Sequence, residues 1–221
     1  MTVSTVLFDL DDTLCEYRRS PQARLTAAFD RAGVDPYCTP TDLRAALPTL
    51  DPVETDREFY ASLFAAAAEG TAADSLTATR VARAYEAVHD HTDVRFRAGA
   101  AAALSGLAGY DVGLVTNGGR EVQSRKLAAL DIADAFDVSV FATPEYGLKP
   151  NAYPFERALS ALDTSPGDAL YVGNSLRADV AGARRVGMPV AWFPATADYT
   201  RDPDPTPDYT LDTLADLHDV L

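Results

Sequence analysis

Apolar positions along the chain follow two rhythms, and the change from one to the other divides it. Val3 to Leu10 is a short run of β-branched, aromatic and aliphatic residues, which predicts a buried strand rather than a helix. After Leu14 the spacing turns helical. Ser20 and Pro21 read as the N-cap and first position of a helix whose stripe, Leu25, Ala28, Phe29 and Ala32, ends at Gly33. Asp35, Pro36, Thr39 and Pro40 break the chain, a short helix is predicted over Thr41–Leu47, and Pro48 and Pro52 break it again. Phe59, Leu63, Phe64 and Ala67 then line one long helix. Leu76, Val81, Tyr85 and Val88 line another, from near Asp74 to around His91. Residues 16–94 are thus predicted to form one all-helical insertion.

From Ala98 the pattern alternates. A small-residue helix (Ala98–Leu107) precedes a strand (Val112–Thr116), and a helix from Arg120 to Leu130 precedes Val138–Ala142. A helix over Pro154–Leu162 leads into Ala169–Gly173, one over Arg177–Val186 into Val190–Phe193, and a strand near Tyr209–Leu211 feeds a last helix. Such alternation predicts an α/β fold, a doubly wound parallel sheet with helices on both faces and short right-handed crossovers. Its core is residues 1–15 and 95–221. Ala195 to Asp208, rich in Pro and Asp, reads as a surface loop, and no internal repeat is present.

Composition narrows the function classes. With 33 acidic and 19 basic residues, a net charge of -14 and a pI near 4.5, the chain is a poor partner for nucleic acid. Neither a membrane span nor a signal peptide is visible, so a soluble cytoplasmic protein is expected. Cys15 and Cys38 have no C-x-x-C spacing and read as reduced thiols. Lys126 and Lys149 are the only lysines, and Asp far outnumbers Glu. An acidic, lysine-poor surface of this kind resembles proteins of salt-loving archaea, whose self-repulsion is screened by concentrated salt. His89 and His91, two apart on a predicted helix, are expected to point to different sides and so not to share a metal. None of the histidines, His218 included, is assigned a role.

The first strand runs straight into charge. In VLFDLDDTL, Asp9, Asp11 and Thr13 alternate, so an extended backbone would send all three to one face at the strand's carboxyl end. Two neighbouring carboxylates repel unless a cation or a shared proton intervenes, which is the need of a phosphoryl-transfer site. Taken alone, Asp11 and Asp12 serve equally well as a turn or an N-cap. Ligands of open α/β sheets bind outside the carboxyl ends of the strands, so the other ends matter. VGLVT ends in Thr116 and enters Asn117-Gly118-Gly119, offering a hydroxyl and free N–H groups to an anion. GLKPNAYPF presents Lys149, an ammonium able to neutralise a phosphoryl group and carboxylates together. YVGNS ends in Asn174, with Asp179 following, where further oxygen ligands reach toward the first strand.

These four segments, VLFDLDDTL, VGLVTN, GLKP and VGNSLRADVAGA, closely resemble in order and spacing the four motifs of the haloacid dehalogenase superfamily. The helical insertion falls where that superfamily carries its helical cap. The resemblance implies a phosphatase acting on a small phosphorylated metabolite. Asp9 would be the nucleophile that forms an aspartyl phosphate, and Asp11 would protonate the leaving oxygen and then activate water. Thr116 and Lys149 would hold phosphoryl oxygens, with Thr13, Asn117 and Gly118 as further substrate contacts. Mg²⁺ would be bound by Asp9, the Asp11 carbonyl, Asn174 and Asp179. The cap would close over the site, with Glu16 to Arg19 as its hinge. Cap arginines Arg18, Arg19, Arg57, Arg80 and Arg83 are candidates for an anionic substrate, although most are expected to be solvated.

One departure stands out. Asn174 occupies a position that is usually Asp in the superfamily, which predicts weaker Mg²⁺ binding unless Asp179 supplies the charge. A carboxylate at Asp11 argues against a dehalogenase, since halide leaves without a proton. A phosphomutase and a non-catalytic binding protein on the same core are the alternatives. A phospho-accepting receiver domain is not: its acceptor Asp would close an interior strand, and Val112–Thr116 has none.

Overall fold

A computed structural model of the chain describes residues 3–51, 53, 55–195 and 200–221. Pro52 and part of the Pro/Asp-rich loop, residues 196–199, lie outside the described residues. The chain divides into two compact units, Met1–Glu16 with Val94–Leu221, and Tyr17–Asp93. Two short strands, β2 (Cys15–Tyr17) and β3 (Val94–Phe96), pair with each other where the chain leaves the first unit and returns to it.

The first unit is built on a six-stranded sheet. Its strands are β1 (Thr5–Phe8), β4 (Asp111–Asn117), β5 (Val138–Ala142), β6 (Ala169–Gly173), β7 (Val190–Trp192) and β8 (Tyr209–Thr210), in the order β5-β4-β1-β6-β7-β8. Every pairing is parallel. Alternation along each strand feeds two cores. Val6, Phe8, Leu114, Leu170 and Val172 join one buried cluster, while Leu7, Val115, Tyr171 and Val190 join another. Both faces of the sheet are therefore covered, which is why its strands read as nearly continuous apolar runs. Helices α5 (Ala100–Ser105), α6 (Arg120–Ala129), α7 (Ala152–Ala161) and α8 (Ala181–Arg185) fall between strands. Two predicted helices come out differently. The segment after β6 begins as one π-helical turn, Leu176–Val180, before α8, and the last helix is a 3-10 segment, Leu214–Asp219, opened by a Thr213/Asp216 capping box.

The second unit holds α1 (Pro21–Ala32), α2 (Pro40–Ala46), α3 (Asp56–Ala68) and α4 (Ser75–Val88). Their ends are fixed chemically. The Ser20 hydroxyl accepts from the Ala23 N–H, Gly33 closes α1 at φ 59°, Thr39/Asp42 and Thr55/Glu58 form capping boxes, and Asp74 accepts from the Thr77 N–H. Leu25, Phe29, Tyr60, Phe64, Val81 and Tyr85 make its core. The expected separation of His89 from His91 does not occur. Helix α4 stops at Val88, and His89 turns out of the helix at ψ 94°, placing Nε2 3.3 Å from Arg24 Nη1, from which it accepts, and Nδ1 3.1 Å from the Tyr60 hydroxyl. Asp90 then takes the Thr92 N–H at 2.8 Å, so the chain doubles back and the two imidazoles stack at 4.6 Å.

Candidate active site

The site gathers where β1, β4 and β6 end. Strand β1 stops at Phe8, the Asp9 N–H adds one more bond to Val172, and the chain then turns through Asp12 at φ 57°. This turn corrects the expectation that Asp9, Asp11 and Thr13 share one face. Thr13 comes back to Asp9, donating its hydroxyl to Asp9 Oδ2 at 3.1 Å and reaching Asn174 Oδ1 at 3.3 Å. The Asp11 carboxylate goes to α6 instead. Lys126 Nζ lies 2.7 and 2.8 Å from its two oxygens, and Gln123 Nε2 donates to Oδ2 at 2.9 Å.

Asp9 and Lys149 form the buried centre. Lys149 Nζ lies 2.7 Å from Asp9 Oδ1, 2.7 Å from Asp179 Oδ1, 2.9 Å from the Val115 carbonyl and 2.9 Å from the Tyr171 hydroxyl. Three hydrogens thus face four oxygens, and the ammonium is fully engaged. Burial pushes the Asp9 carboxyl up to about 7, against the pull of Lys149, with Asp179 and Asp11 adding to the rise. Burial also opposes the charge on Lys149, but Asp179 and Asp9 outweigh it and hold the ammonium above the ordinary lysine value. The buried Tyr171 phenol is pushed up by burial and by the same carboxylates, so it stays a neutral donor. Its place was missed from sequence, although a phenol inside the aliphatic strand ALYVG must find a partner for its hydroxyl.

Several expected roles are redistributed. Thr13, expected as a substrate contact, is fully buried and acts as a brace between Asp9 and Asn174. The Asn117 amide accepts the Lys149 N–H at 2.8 Å and donates to the Lys149 carbonyl at 3.3 Å, so it clamps the loop that presents Lys149. Gly118 donates its N–H to Ala142, which removes it from the groups open to an anion. Its φ of 131° and a would-be Cβ 3.3 Å from Gln123 Nε2 explain why glycine stands there. Thr116 is buried, and its hydroxyl oxygen accepts from Gln123 Nε2 at 2.7 Å. Gln123 and Lys126 were not anticipated.

Of the expected metal ligands, Asp179 is committed elsewhere. Oδ1 receives Lys149 and Tyr171, and Oδ2 accepts the Ser175 N–H at 2.9 Å. Gly173 permits that approach, since a Cβ there would sit 2.5 Å from the Asp179 Cβ. Among the described residues no group of three or more His, Cys, Asp or Glu side chains forms a cation cage. What remains for a hard cation is Asp9 Oδ2 and Asn174 Oδ1, both gathered by the Thr13 hydroxyl, with one formal charge between them. The pair fits such a cation, because both are hard oxygen donors and a cation beside them would offset the burial that disfavours the Asp9 anion.

The comparisons with known proteins point to one family. Residues 6–193 match the family model for haloacid dehalogenase-like hydrolases. The glyceraldehyde 3-phosphate phosphatases of Pyrococcus furiosus and Pyrococcus abyssi are 32% and 36% identical over 115 and 85 residues, segments of 51% and 38% of this chain that span only 48% and 36% of those relatives. A ribulose-1,5-bisphosphate 5-phosphatase of Halopiger xanaduensis is 29% identical with 99% of both chains covered. The magnesium-bound putative HAD-hydrolase YfnB of Bacillus subtilis superposes with a TM-score of 0.76 at 23% identity, covering 100% of this chain and 99% of its own. With the family model spanning most of its length and the motif residues assembled at one end of a parallel sheet, this chain belongs to the haloacid dehalogenase-like hydrolases.

Proposed function

We propose that the protein is a Mg²⁺-dependent phosphatase that hydrolyses a small phosphomonoester through an aspartyl phosphate on Asp9. The observation that carries this is the setting of Asp9. It is a buried carboxylate whose Oδ1 is fixed by Lys149 at 2.7 Å and whose Oδ2 is fixed by Thr13 at 3.1 Å, leaving it one rotamer from which to attack. In the first step Asp9 forms an oxygen–phosphorus bond as the bond to the leaving oxygen breaks, and Asp11 gives that oxygen a proton. In the second step Asp11 takes a proton from water, which attacks phosphorus and restores the Asp9 carboxylate. Thr116 would hold a phosphoryl oxygen, and Lys149 would offset the charge on Asp9 while the phosphoryl group is attached. Mg²⁺ held by Asp9, the Asp11 carbonyl and Asn174 would supply charge neutralisation at the phosphoryl oxygens.

Among the relatives matched over their full length one is a ribulose-1,5-bisphosphate 5-phosphatase and others are pyrophosphatases PpaX, so sugar phosphates and pyrophosphate are the first substrates to test. Phosphate release is to be followed from p-nitrophenyl phosphate, ribulose-1,5-bisphosphate, glyceraldehyde 3-phosphate, phosphoglycolate and pyrophosphate in molar KCl, with Mg²⁺ titrated. Molar salt is chosen because the net charge of -14 favours folding there. Turnover in the wild type that falls about 10⁴-fold or more in Asp9→Asn supports the reading. Retained turnover in Asp9→Asn overturns it, and consumption of the ester without phosphate release, the phosphoryl group appearing on a second sugar instead, points to a phosphomutase.

A further inference from the structure

We propose that Gln123 and Lys126, on one face of α6, are the positioning residues of Asp11, fixing where its carboxylate meets the leaving group and the water. The inference rests on the phosphatase reading of Asp11 and goes beyond it.

The lysine itself is the first clue. The chain uses Arg almost everywhere a cation is needed and keeps two lysines, and both are buried against carboxylates of the site, Lys126 at 4% exposure and Lys149 at 5%. A helix lysine that only served solubility would stand in water with its head free. Lys126 instead folds inward and places one compact ammonium 2.7 and 2.8 Å from the two Asp11 oxygens. Gln123 lies three residues earlier on the same helix face and adds a third donor to Oδ2 at 2.9 Å. Asp11 is 38% exposed, and a carboxylate that open would sample several rotamers without these donors. Three converging donors leave it one.

Gln123 does more than hold Asp11. The same Nε2 reaches the Thr116 hydroxyl at 2.7 Å and the Asn117 carbonyl at 3.1 Å. One amide therefore ties the candidate acid/base to the hydroxyl that would hold a phosphoryl oxygen, so the spacing of the two is set by a single group. That arrangement is costly. Gln123 is 1% exposed, and among the described residues its Oε1 has no hydrogen-bond partner. Flipping the amide would aim that oxygen at the Asp11 carboxylate and the Asn117 carbonyl, so the orientation is dictated by Asp11 at the expense of one unsatisfied acceptor. A helix anchor with no catalytic duty would not require this, because misplacement of a proton-transferring group by an ångström lowers rate steeply while leaving packing intact.

The test separates positioning from anchoring by leaving group. p-Nitrophenolate departs with little help from a proton, whereas phenolate needs one, so phenyl phosphate reports the placement of Asp11 and p-nitrophenyl phosphate much less. Lys126→Met and Gln123→Leu are expected to lose about 10²-fold in kcat/KM, which reports the leaving-group step, on phenyl phosphate and less than about tenfold on p-nitrophenyl phosphate. Adding Lys126→Met to Asp11→Asn should cost nothing further. Circular dichroism in molar KCl verifies folding, and Gln123→Leu, which leaves the charge pair in place, carries the test if Lys126→Met does not fold. Equal losses of kcat/KM on both esters, or losses of Lys126→Met and Asp11→Asn that multiply, would overturn the positioning role while leaving the phosphatase reading intact. Undiminished turnover in Asp11→Asn would sink the acid/base reading and the inference with it.

Discussion

Asp9 and Asp11 stand two residues apart, and each is paired with one of the chain's two lysines, yet the pairs live in different surroundings. The Asp9 side chain is 8% exposed and shares Lys149 with the still more buried Asp179, so two carboxylates face one ammonium away from water. Asp11 is 38% exposed and is held by Lys126, with a glutamine amide beside it. The first arrangement is short of positive charge, which suits a group that must carry a phosphoryl and meet a cation. The second is balanced and open on one side, which suits a group that must exchange protons with a leaving oxygen and with water. One sequence motif thus delivers two carboxylates that differ in burial and in the ratio of cations to anions around each, in keeping with the different duties proposed for them.

Removing each lysine should expose the difference most strongly. Lys149→Met strands two buried carboxylates and is expected to cost about 3–5 kcal/mol of stability, whereas Lys126→Met leaves a partly solvated carboxylate and is expected to cost about 1 kcal/mol. Denaturant titration in molar KCl would measure both. Equal costs would break the comparison, since they would mean that Asp11 is as dependent on its partner as Asp9.

A smaller effect concerns pH. Burial raises the Asp9 carboxyl from 3.8 to about 7, so the folded chain holds a proton there that the unfolded chain has lost. A raised acid stabilises the fold below its unfolded value, and that contribution is lost as pH rises through about 7. Metal-free protein should therefore lose up to a few kcal/mol between pH 4 and 7 from this group. Mg²⁺ bound at Asp9, as proposed, would compete with the same proton, so its apparent affinity should grow with pH and level off above about 7. Thermal melts with and without Mg²⁺ across this range would show it, with Asp9→Asn removing the slope. A slope that survives Asp9→Asn would assign it to other carboxyls.

The strand ends were legible in the sequence because their signals are local. An apolar run that stops at Asp9, Thr116 or Asn174 marks where a buried strand meets polar chemistry, whatever the rest of the chain does. What was not legible depends on turns and on distant partners. The left-handed Asp12 sends Asp11 and Thr13 in opposite directions, which no alternation rule captures. Gln123 and Lys126 lie on a helix whose sequence, REVQSRKLAA, looks like solvated surface, and only the path of β4 and the Asp11 turn brings that face inward. Asp179 looked like a metal ligand by spacing, but Lys149, Tyr171 and the Ser175 N–H reach it first.

The two thiols carry the comparison to its smallest effect. Cys15 lies within the electrostatic reach of both carboxylates; burial first, then Asp11, pushes its thiol far above the ordinary value, while Lys126 pulls the other way. Cys38, in the helical unit, is pushed up to about 11, by burial first and then Asp42. An exposed thiol near its ordinary value is about a quarter thiolate at pH 8, whereas Cys38 would be about a thousandth. Labelling by a disulfide reagent at pH 8 should accordingly be several hundred times slower than for a free thiol. As pH climbs toward 11, Cys38 should react first and Cys15 only on unfolding. Prompt labelling of Cys15 in the folded protein would mean that the turn between Asp9 and Cys15 opens to solvent, and the sharp contrast between a sealed Asp9 and a half-open Asp11 would no longer hold.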